Sequence, residues 1–210
     1  RVYGPGPRVP MYVISPWSRG GWVNSQVFDH TSVLRFLESR FGVQEPNISP
    51  FRRAVCGDLT SAFNFATPNS EALPVLTGRK DKSQADALRA AQQRLAQIAP
   101  PAAQRLPVQA AGTRPSRALP YELATTCTVQ PGATMAAVRV ALDFANTGRQ
   151  AAVFHVYDRK NLAAVPRRYM VEPGKSLSDV WTPAVGGAYD LWVLGPNGYH
   201  RHFTGSALRA

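Results

Sequence analysis

The sequence predicts a mainly β protein, with an immunoglobulin-like antiparallel β-sandwich at the C-terminus, preceded by an incomplete α/β remnant and a partly helical linker. After Pro120 the chain consists of short alternating segments separated by turn residues. Eighteen Pro and sixteen Gly in 210 residues also favour a turn-rich β architecture. Near the other end, a strand-like apolar run is followed by a helix pattern. The expected domains are therefore residues 1–66, 67–118 and 119–210.

The C-terminal segments are typical of about seven strands with turn signals every 8–12 residues, as in immunoglobulin-like domains. Alternation is clearest in VRVALDF, where Val138, Val140, Leu142 and Phe144 fall on one face. The turn residues PNG at 196–198 predict the last hairpin. Because about ninety residues can enclose a core of this kind, we expect this domain to fold by itself.

The N-terminal remnant begins with an apolar run, Met11 to Ile14, whose lack of alternation predicts a strand buried on both faces. A helix should follow, with Asp29 and Thr31 as N-cap candidates and Gly42 as its C-cap. Its expected apolar face consists of Val33, Leu34, Leu37 and Phe41. A doubly buried strand needs neighbouring strands that this chain does not contain, so the remnant is expected to be one part of a larger sheet.

The linker contains one further helix pattern. It begins at Ser83, with Leu88, Leu95 and Ile98 at helical spacing and Asp86 completing a capping-box-like start. A short helix is also possible from Asp58, before the linker. The Pro/Ala-rich residues 99–120 are typical of a linker or an extended strap.

Composition bounds the possible partners. A hydrophobic content of 44% and a charged content of 18% indicate a folded chain, and no apolar run approaches the roughly 20 residues that span a bilayer. The net charge of +11 would attract phosphate, nucleic acid or an anionic membrane. The basic residues are scattered, which favours a solvated basic surface, and the missing aromatic-and-basic motif predicts no nucleic-acid partner.

The two cysteines, Cys56 and Cys127, match neither a zinc-ligand spacing nor a CxxC redox pair. They should lie in different structural units, so we expect two buried free thiols. A disulfide between them remains open, because the cysteine count alone does not define the redox compartment.

The loop after the predicted strand is the best candidate for a ligand site, because α/β proteins bind ligands beyond the carboxyl ends of their strands. Arg19 could reach an anionic phosphate, and Trp17 and Trp22 could pack on a ligand or a cation. His30 precedes a helix whose N-terminus favours an anion nearby. The alternative is structural: both Trp bury against the helix and Asp29 only caps it.

A catalytic set is missing from the sequence. There is no G-x-S-x-G elbow, HExxH, P-loop or Gly-rich dinucleotide fingerprint. His155 is typical of a strand residue, whereas His200 and His202 share one face beside a hairpin but lack a third ligand. No nucleophile and no metal ligand are therefore assigned in this chain.

Five stretches of the sequence resemble one enzyme family. SPWSRGGWVNSQVFDHTSVLRFLESRFG and EPNISPFRRAVCGDLTSAFNF, within residues 15–65, resemble the end of the catalytic domain of bacterial phosphocholine-preferring phospholipases C, which belong to the alkaline phosphatase superfamily. LDFANTGRQAAVFHVYDRKN, YMVEPGKSL and YDLWVLGPNGYHRHFTG resemble the C-terminal domain that follows it. Family members usually carry two tandem copies of that domain, and one is visible here. Residues 67–118 match less distinctly.

The resemblance implies a parent enzyme that hydrolyses phosphatidylcholine or sphingomyelin to phosphocholine and a neutral lipid, using a Thr or Ser nucleophile and a divalent metal. Both would lie upstream of Arg1, so this chain alone is expected to be inactive and to hold no cofactor. The residues expected to line or support the substrate site are Ser15, Trp17, Arg19, Asp29 and His30. The implied partners are a phospholipid or membrane surface and the upstream catalytic domain, and the implied location is secreted or periplasmic.

A second hypothesis is a non-enzymatic sandwich that binds carbohydrate or protein. Within the sandwich, Tyr189, Trp192, Tyr199, Arg167 and Arg201 could form an interface with lipid, although core and rim positions are the simpler interpretation. Nothing in the sandwich sequence separates a lipid-surface role from a role in bracing the catalytic domain.

Overall fold

The fold was obtained as a computed structural model. It describes residues 6, 8–73, 75, 78, 80–95, 101–105, 108, 111–134 and 137–207.

Seven antiparallel strands form the C-terminal half, as the alternating segments predicted. The strands are β1 Leu123–Gln130, β2 Arg139–Asn146, β3 Ala152–Asp158, β4 Arg167–Val171, β5 Lys175–Trp181, β6 Ala188–Leu194 and β7 His200–Ser206. They form a three-stranded sheet of order β1-β2-β5 and a four-stranded sheet of order β4-β3-β6-β7. This confirms a mainly β protein with a C-terminal sandwich, called the sandwich below.

The sandwich has one apolar core between its sheets. Side chains of alternate residues point inward, as the period of a strand requires. The buried members are Val140, Leu142, Phe144, Phe154, Val156, Tyr169, Val171, Leu191 and Val193. Tyr189 and Tyr199 pack against this core, so the core interpretation holds for both. Phe144 lies near its centre, with its ring 4.6 Å from that of Tyr169 and 5.1 Å from that of Phe154.

Polar contacts define how the two sheets are joined. Asn146 is fully buried at the end of β2. Its Nδ2 donates to Gln150 O at 2.8 Å and to Val171 O at 3.0 Å, and its Oδ1 accepts from Gly148 N at 3.0 Å. The amide therefore satisfies three backbone groups at the β2–β3 corner, which is the condition for burying it.

The helices lie mainly outside the sandwich. They are α1 His30–Phe41, α2 Pro50–Val55 and α3 Lys82–Gln92, with 3-10 turns at Pro16–Ser18, Thr60–Ala62, Pro101–Ala103 and Pro196–Gly198. In place of the possible helix from Asp58, there is a single 3-10 turn whose Thr60 N donates to Asp58 Oδ1 at 3.0 Å. Sequence reasoning missed α2, although Ser49 before Pro50 is a cap followed by proline at the first helical position.

The structure confirms both predicted ends of the helix after the loop. Asp29 is its N-cap in a capping box with Ser32, and Gly42 ends it in the left-handed conformation. The apolar residues of this helix are not buried in the described structure. Val33, Leu34, Leu37 and Phe41 are each between 42% and 65% exposed.

The predicted strand Met11–Ile14 is not formed. The four residues have no regular secondary structure, and Tyr12 and Ile14 are 86% and 95% exposed. A strand exists only where a neighbour accepts and donates its backbone hydrogen bonds, and no strand of the described residues lies beside it.

The linker helix begins at Lys82, one residue earlier than predicted. Asp81, not a residue at Ser83, is the N-cap of α3, and Gln84 completes its capping box. Asp86 instead pairs with Lys82 on the exposed side, and Ile98 lies outside the described residues. Cys56 and Cys127 are both free, which answers the question that the sequence left open.

Candidate functional site

The loop after residue 14 is held in a tight turn by its own hydroxyl groups. Ser15 Oγ accepts from Trp17 N at 3.2 Å and caps the 3-10 turn Pro16–Ser18. Ser18 Oγ donates to Val13 O at 3.0 Å and ties the turn back to the preceding segment. Ser15 therefore has a positioning role: it sets where Trp17 and the residues after it emerge.

Trp17 and Arg19 face a second segment, residues 64–69. The Trp17 ring is 48% exposed and lies 5.8 Å from the Phe65 ring, and Trp17 O accepts from Asn64 N at 2.8 Å. Arg19 Nη1 donates to Asn69 O at 3.1 Å. Its Nε is buried and has no hydrogen-bond partner in the part of the chain that the structure describes. This donor is the clearest unmet hydrogen-bonding group in the loop.

Asp29 and His30 lie at the start of α1. Asp29 Oδ1 accepts from Thr31 N at 2.8 Å and Thr31 Oγ1 at 2.6 Å, and Oδ2 is paired with Arg52. Burial opposes ionisation of this carboxyl, but the Thr31 hydrogen bonds and Arg52 outweigh it and lower its pKa. Asp29 is thus an ionised helix cap, as the structural alternative proposed. His30 is the first helical residue and is exposed.

The five predicted site residues fall into two groups with different neighbours. Ser15 caps the turn from which Trp17 and Arg19 reach residues 64–69, whereas Asp29 contacts Thr31 and Arg52. No hydrogen bond or ion pair among the described residues joins the two groups. The other loop tryptophan, Trp22, lies under the Arg117 guanidinium at 4.4 Å.

An arginine network behind α1 was not foreseen from the sequence. Arg53 binds Glu38 with both Nη groups, at 2.9 and 2.8 Å, and also reaches Glu45 O at 2.7 Å. The Arg53 hydrogen bonds lower the pKa of Glu38 to about 2. Arg35 donates to Arg53 O and to Cys56 O. The paired arginines of RRAV on a short helix were the available signal.

Cys56 lies beside this network and is not a reactive thiol. It is buried, and burial with Asp29 nearby raises its pKa to about 11. Since the thiolate is the nucleophile, a thiol with such a pKa is inert at neutral pH.

The N-terminal region, residues 8–66, docks on the sandwich through polar contacts. Val27 N donates to Tyr121 Oη at 3.0 Å. Gln150 bonds to both Gln26 Nε2, at 3.0 Å, and Ala54 O, at 2.9 Å. Gly57 allows this approach, because a Cβ there would lie 2.4 Å from Gln26 Nε2. A polar cleft of about 310 Å³ remains between the two parts.

A strap completes the docking. Val23 pairs with Ser116 as a short parallel bridge, with Val23 N donating to Pro115 O and Arg117 N donating to Val23 O, each at 2.9 Å. Arg117 Nη2 also donates to Ala62 O at 3.2 Å. The extended strap predicted for residues 99–120 is therefore seen at its C-terminal end.

Within the described ranges, no group of three or more His, Cys, Asp or Glu side chains is arranged to hold a metal ion. Among those residues there is also no helix of sufficient length and apolarity to cross a bilayer.

Family comparisons agree with this two-part architecture. Residues 115–206 match the model of the bacterial phospholipase C C-terminal domain, and residues 1–44 match that of the phosphoesterase family. Residues 115–206 therefore match the C-terminal domain of bacterial phospholipases C, and the chain as a whole is similar to the C-terminal portion of these enzymes.

Curated relatives lie in the same family. The non-hemolytic phospholipase C of Pseudomonas aeruginosa is 57% identical over 99% of this chain, and that of Burkholderia pseudomallei is 47% identical over 99%. The hemolytic phospholipase C of Pseudomonas aeruginosa is 41% identical over 97% of it. The chain spans about three tenths of the length of these relatives, between 29% and 30%.

Proposed function

We propose that this chain is the C-terminal part of a phospholipase C, with residues 1–66 completing its catalytic domain and residues 119–210 forming an accessory domain. The observation that carries this proposal is the order of the two family matches on one chain, a phosphoesterase segment followed by a phospholipase C C-terminal domain. The parent enzyme would hydrolyse phosphatidylcholine or sphingomyelin to phosphocholine and a neutral lipid.

The exposed side of α1 supports this assignment. An amphipathic helix turns its apolar stripe towards a core, yet Leu34, Leu37 and Phe41 face outward here. The neighbouring residues Tyr12 and Ile14 are also exposed and apolar. We propose that the upstream part of the catalytic domain covers this surface and supplies the strands beside residues 11–14.

The nucleophile and the divalent metal of the parent would lie in that upstream part. The described residues contain no cluster that fits a metal ion, so no catalytic step is assigned to a metal held by this chain. What this chain would supply is the border of the substrate site, and we propose two roles within it.

Arg19 and Trp17 would contact the substrate directly. The Arg19 guanidinium is a donor group suited to a phosphoryl oxygen, and the half-exposed Trp17 side chain offers a π-face to a quaternary ammonium. Ser15, which caps the turn, would position both. Asp29 would orient the start of α1 through Thr31 and Arg52, leaving His30 at the exposed helix start beside the site.

Phosphocholine release from phosphatidylcholine vesicles tests the proposal. The purified 210-residue chain should release none above blank, with or without divalent metal, whereas the complete gene product should release it. In the complete gene product, R19Q should lower turnover at least tenfold, while R89Q on the exposed helix α3 serves as the matched control. Metal-dependent turnover by the 210-residue chain would contradict the absence of a nucleophile.

The carbohydrate-binding alternative is not favoured by the sandwich tryptophans. Arg167 covers the ring of Trp181 at 4.0 Å, and Arg159 covers that of Trp192 at 4.5 Å. A sugar stacks on an open aromatic face, and these two rings are already capped by guanidinium groups. Tight glycan binding by the purified chain, without binding to lipid, would reverse this preference.

The location proposed for the parent is secreted or periplasmic, which is supported by the family resemblance. Fractionation of cells that express the complete gene product tests it: activity in the periplasm or medium is expected, and activity confined to the cytoplasm would contradict it.

A further inference from the structure

Three of the four histidines of the chain lie on one surface of the sandwich. Along β3, β6 and β7 the core residues alternate with residues that point away from the core. We call the surface that these outward residues form on the four-stranded sheet the outer face. The strand register places on it Arg168, His155, Tyr157, Asp190, Trp192, His200 and His202.

Trp192 is the centre of this face. Its ring contacts the edges of His200 and His202, with centroids 6.1 and 6.2 Å away. The Arg159 guanidinium covers the ring at 4.5 Å. Asp190 lies two residues before Trp192 on β6, on the same face. It accepts from His202 Nε2 at 2.7 Å and from Arg159 Nη1 at 3.3 Å. Cations, an aromatic ring and one carboxylate thus form a connected group.

The charged and titratable groups around each histidine are few. His202 faces Asp190, His200 and Trp192, and His200 faces His202 and Trp192. On the other side of the sheet centre, His155 lies opposite Arg168 of β4 and Leu194 of β6. Burial and Arg168 lower the pKa of His155, which favours its neutral form.

The charge of the outer face therefore depends on pH. At neutral pH its fixed charges are those of Arg159, Arg168 and Asp190, because the His202 hydrogen bond and Arg159 keep the pKa of Asp190 low. Histidine ordinarily titrates near pH 6.5. Two exposed histidines beside an ionised Asp190 therefore make the charge of this face sensitive to mild acid.

We propose that the outer face is a docking surface for anionic phospholipid headgroups that binds more tightly at mildly acidic pH. This deepens the accessory-domain part of the proposed function and rests on it. Charge complementarity identifies the occupant: a cationic face with Trp and Tyr at its centre matches the anionic, amphipathic boundary of a bilayer. The covered ring of Trp192 argues against a sugar.

Sedimentation with vesicles tests this inference on the full 210-residue chain. The vesicles are pure phosphatidylcholine or phosphatidylcholine with about one third phosphatidylglycerol. Binding to the anionic vesicles should rise about tenfold between pH 7.5 and pH 5.5, because each basic charge near such a surface contributes several-fold. Binding to neutral vesicles should stay low at both pH values. An equal rise on both vesicles would overturn the proposal, as would no rise on either.

Two double variants assign the effect to the face. H200N/H202N should lose the pH-dependent rise, and H200R/H202R should bind at pH 7.5 as the unchanged chain does at pH 5.5. K82Q, which removes a cation from the exposed side of α3, is the matched control and should keep the rise. Retention of the rise in H200N/H202N would overturn the proposal, and would mean that another cationic surface binds.

The lipase assay separates failure of this inference from failure of the proposed function. If the complete gene product releases phosphocholine but the vesicle experiment shows no pH dependence, only the docking surface is wrong. If vesicle binding follows the histidines but no phosphocholine is released, the phospholipase assignment is wrong. A preference for a soluble acidic protein over anionic vesicles in competition would also overturn the lipid assignment.

Discussion

The sandwich and the N-terminal region are stabilised in different ways. In the sandwich, nine buried apolar residues from both sheets form one core. In the N-terminal region, few side chains are buried, and the apolar face of α1 is exposed. That region is held instead by ion pairs such as Arg53–Glu38 and by hydrogen bonds to the sandwich through Gln150 and Tyr121.

This difference indicates which part is self-sufficient. Burial of apolar surface is the dominant favourable contribution to folding, whereas exposed ion pairs contribute little. The sandwich therefore has what an independent domain needs. The N-terminal region presents an apolar surface that no described residue covers, as expected for a part of a larger domain.

Core truncation should separate the two regions most strongly. Phe144 is fully buried, and F144A should lower the free energy of unfolding of the sandwich by about 3–5 kcal/mol. The matched change L37A removes a side chain that is 42% exposed on α1 and should cost less than about 0.5 kcal/mol in this chain. Urea denaturation followed by circular dichroism measures both. Similar losses would mean that α1 is also part of a core.

Removing the buried Asn146 amide at the β2–β3 corner should cause the second largest loss in the free energy of unfolding. N146A leaves the carbonyls of Gln150 and Val171 without their donor, and should cost about 2–3 kcal/mol. N161A in the exposed turn after β3 is its control and should leave the urea midpoint unchanged. An unchanged midpoint in N146A would show that the corner tolerates the loss.

Weakening the docking contacts should release only the N-terminal region. Q150A removes the bonds to Gln26 and Ala54 and should raise the rate of proteolytic cleavage within residues 8–66 about fivefold to thirtyfold. Cleavage within the sandwich should not change, and Q130A at the exposed end of β1 is the control. Faster cleavage in the sandwich itself would show that the two parts unfold together.

Lowering the pH should destabilise the N-terminal region as well, with a smaller effect than the three substitutions above. The pKa of Glu38 falls from 4.5 to about 2 in the folded chain, because Arg53 binds the ionised form. The ion pair therefore stabilises the fold above pH 4.5 and loses this effect as the pH falls towards 2. Hydrogen exchange of α1 amides should accelerate across that interval, and E38Q should flatten this dependence. Exchange independent of pH, after correction for intrinsic rates, would contradict the role of Glu38.

The sequence predicted structure best where pattern and turn chemistry agree. All seven strands were predicted because alternation, turn residues and core positions such as Phe144 indicate the same register. Helix α1 was predicted through local caps, Asp29 and Gly42, which need no tertiary partner. The strand Met11–Ile14 was wrong for this structure because a strand depends on neighbours, and none lies beside it.

The candidate site was predictable only in part. Loop position and residue type pointed to Trp17 and Arg19, whose roles at the substrate stay proposals, and the Arg19 Nε is buried without a hydrogen-bond partner among the described residues. Asp29 is a helix cap paired with Arg52, a contact between residues far apart in sequence that local patterns do not reveal. The same holds for the histidines of the outer face, which come from two strands, β3 and β7.

The most direct test compares hydrogen exchange of α1 in the 210-residue chain and in the complete gene product. If upstream residues cover the exposed apolar face, amides near Leu37 should exchange at least tenfold more slowly in the complete protein, while those of β2 and β3 should exchange equally in both. Equal exchange of α1 in the two proteins, or a gene product that begins at Arg1, would contradict the account.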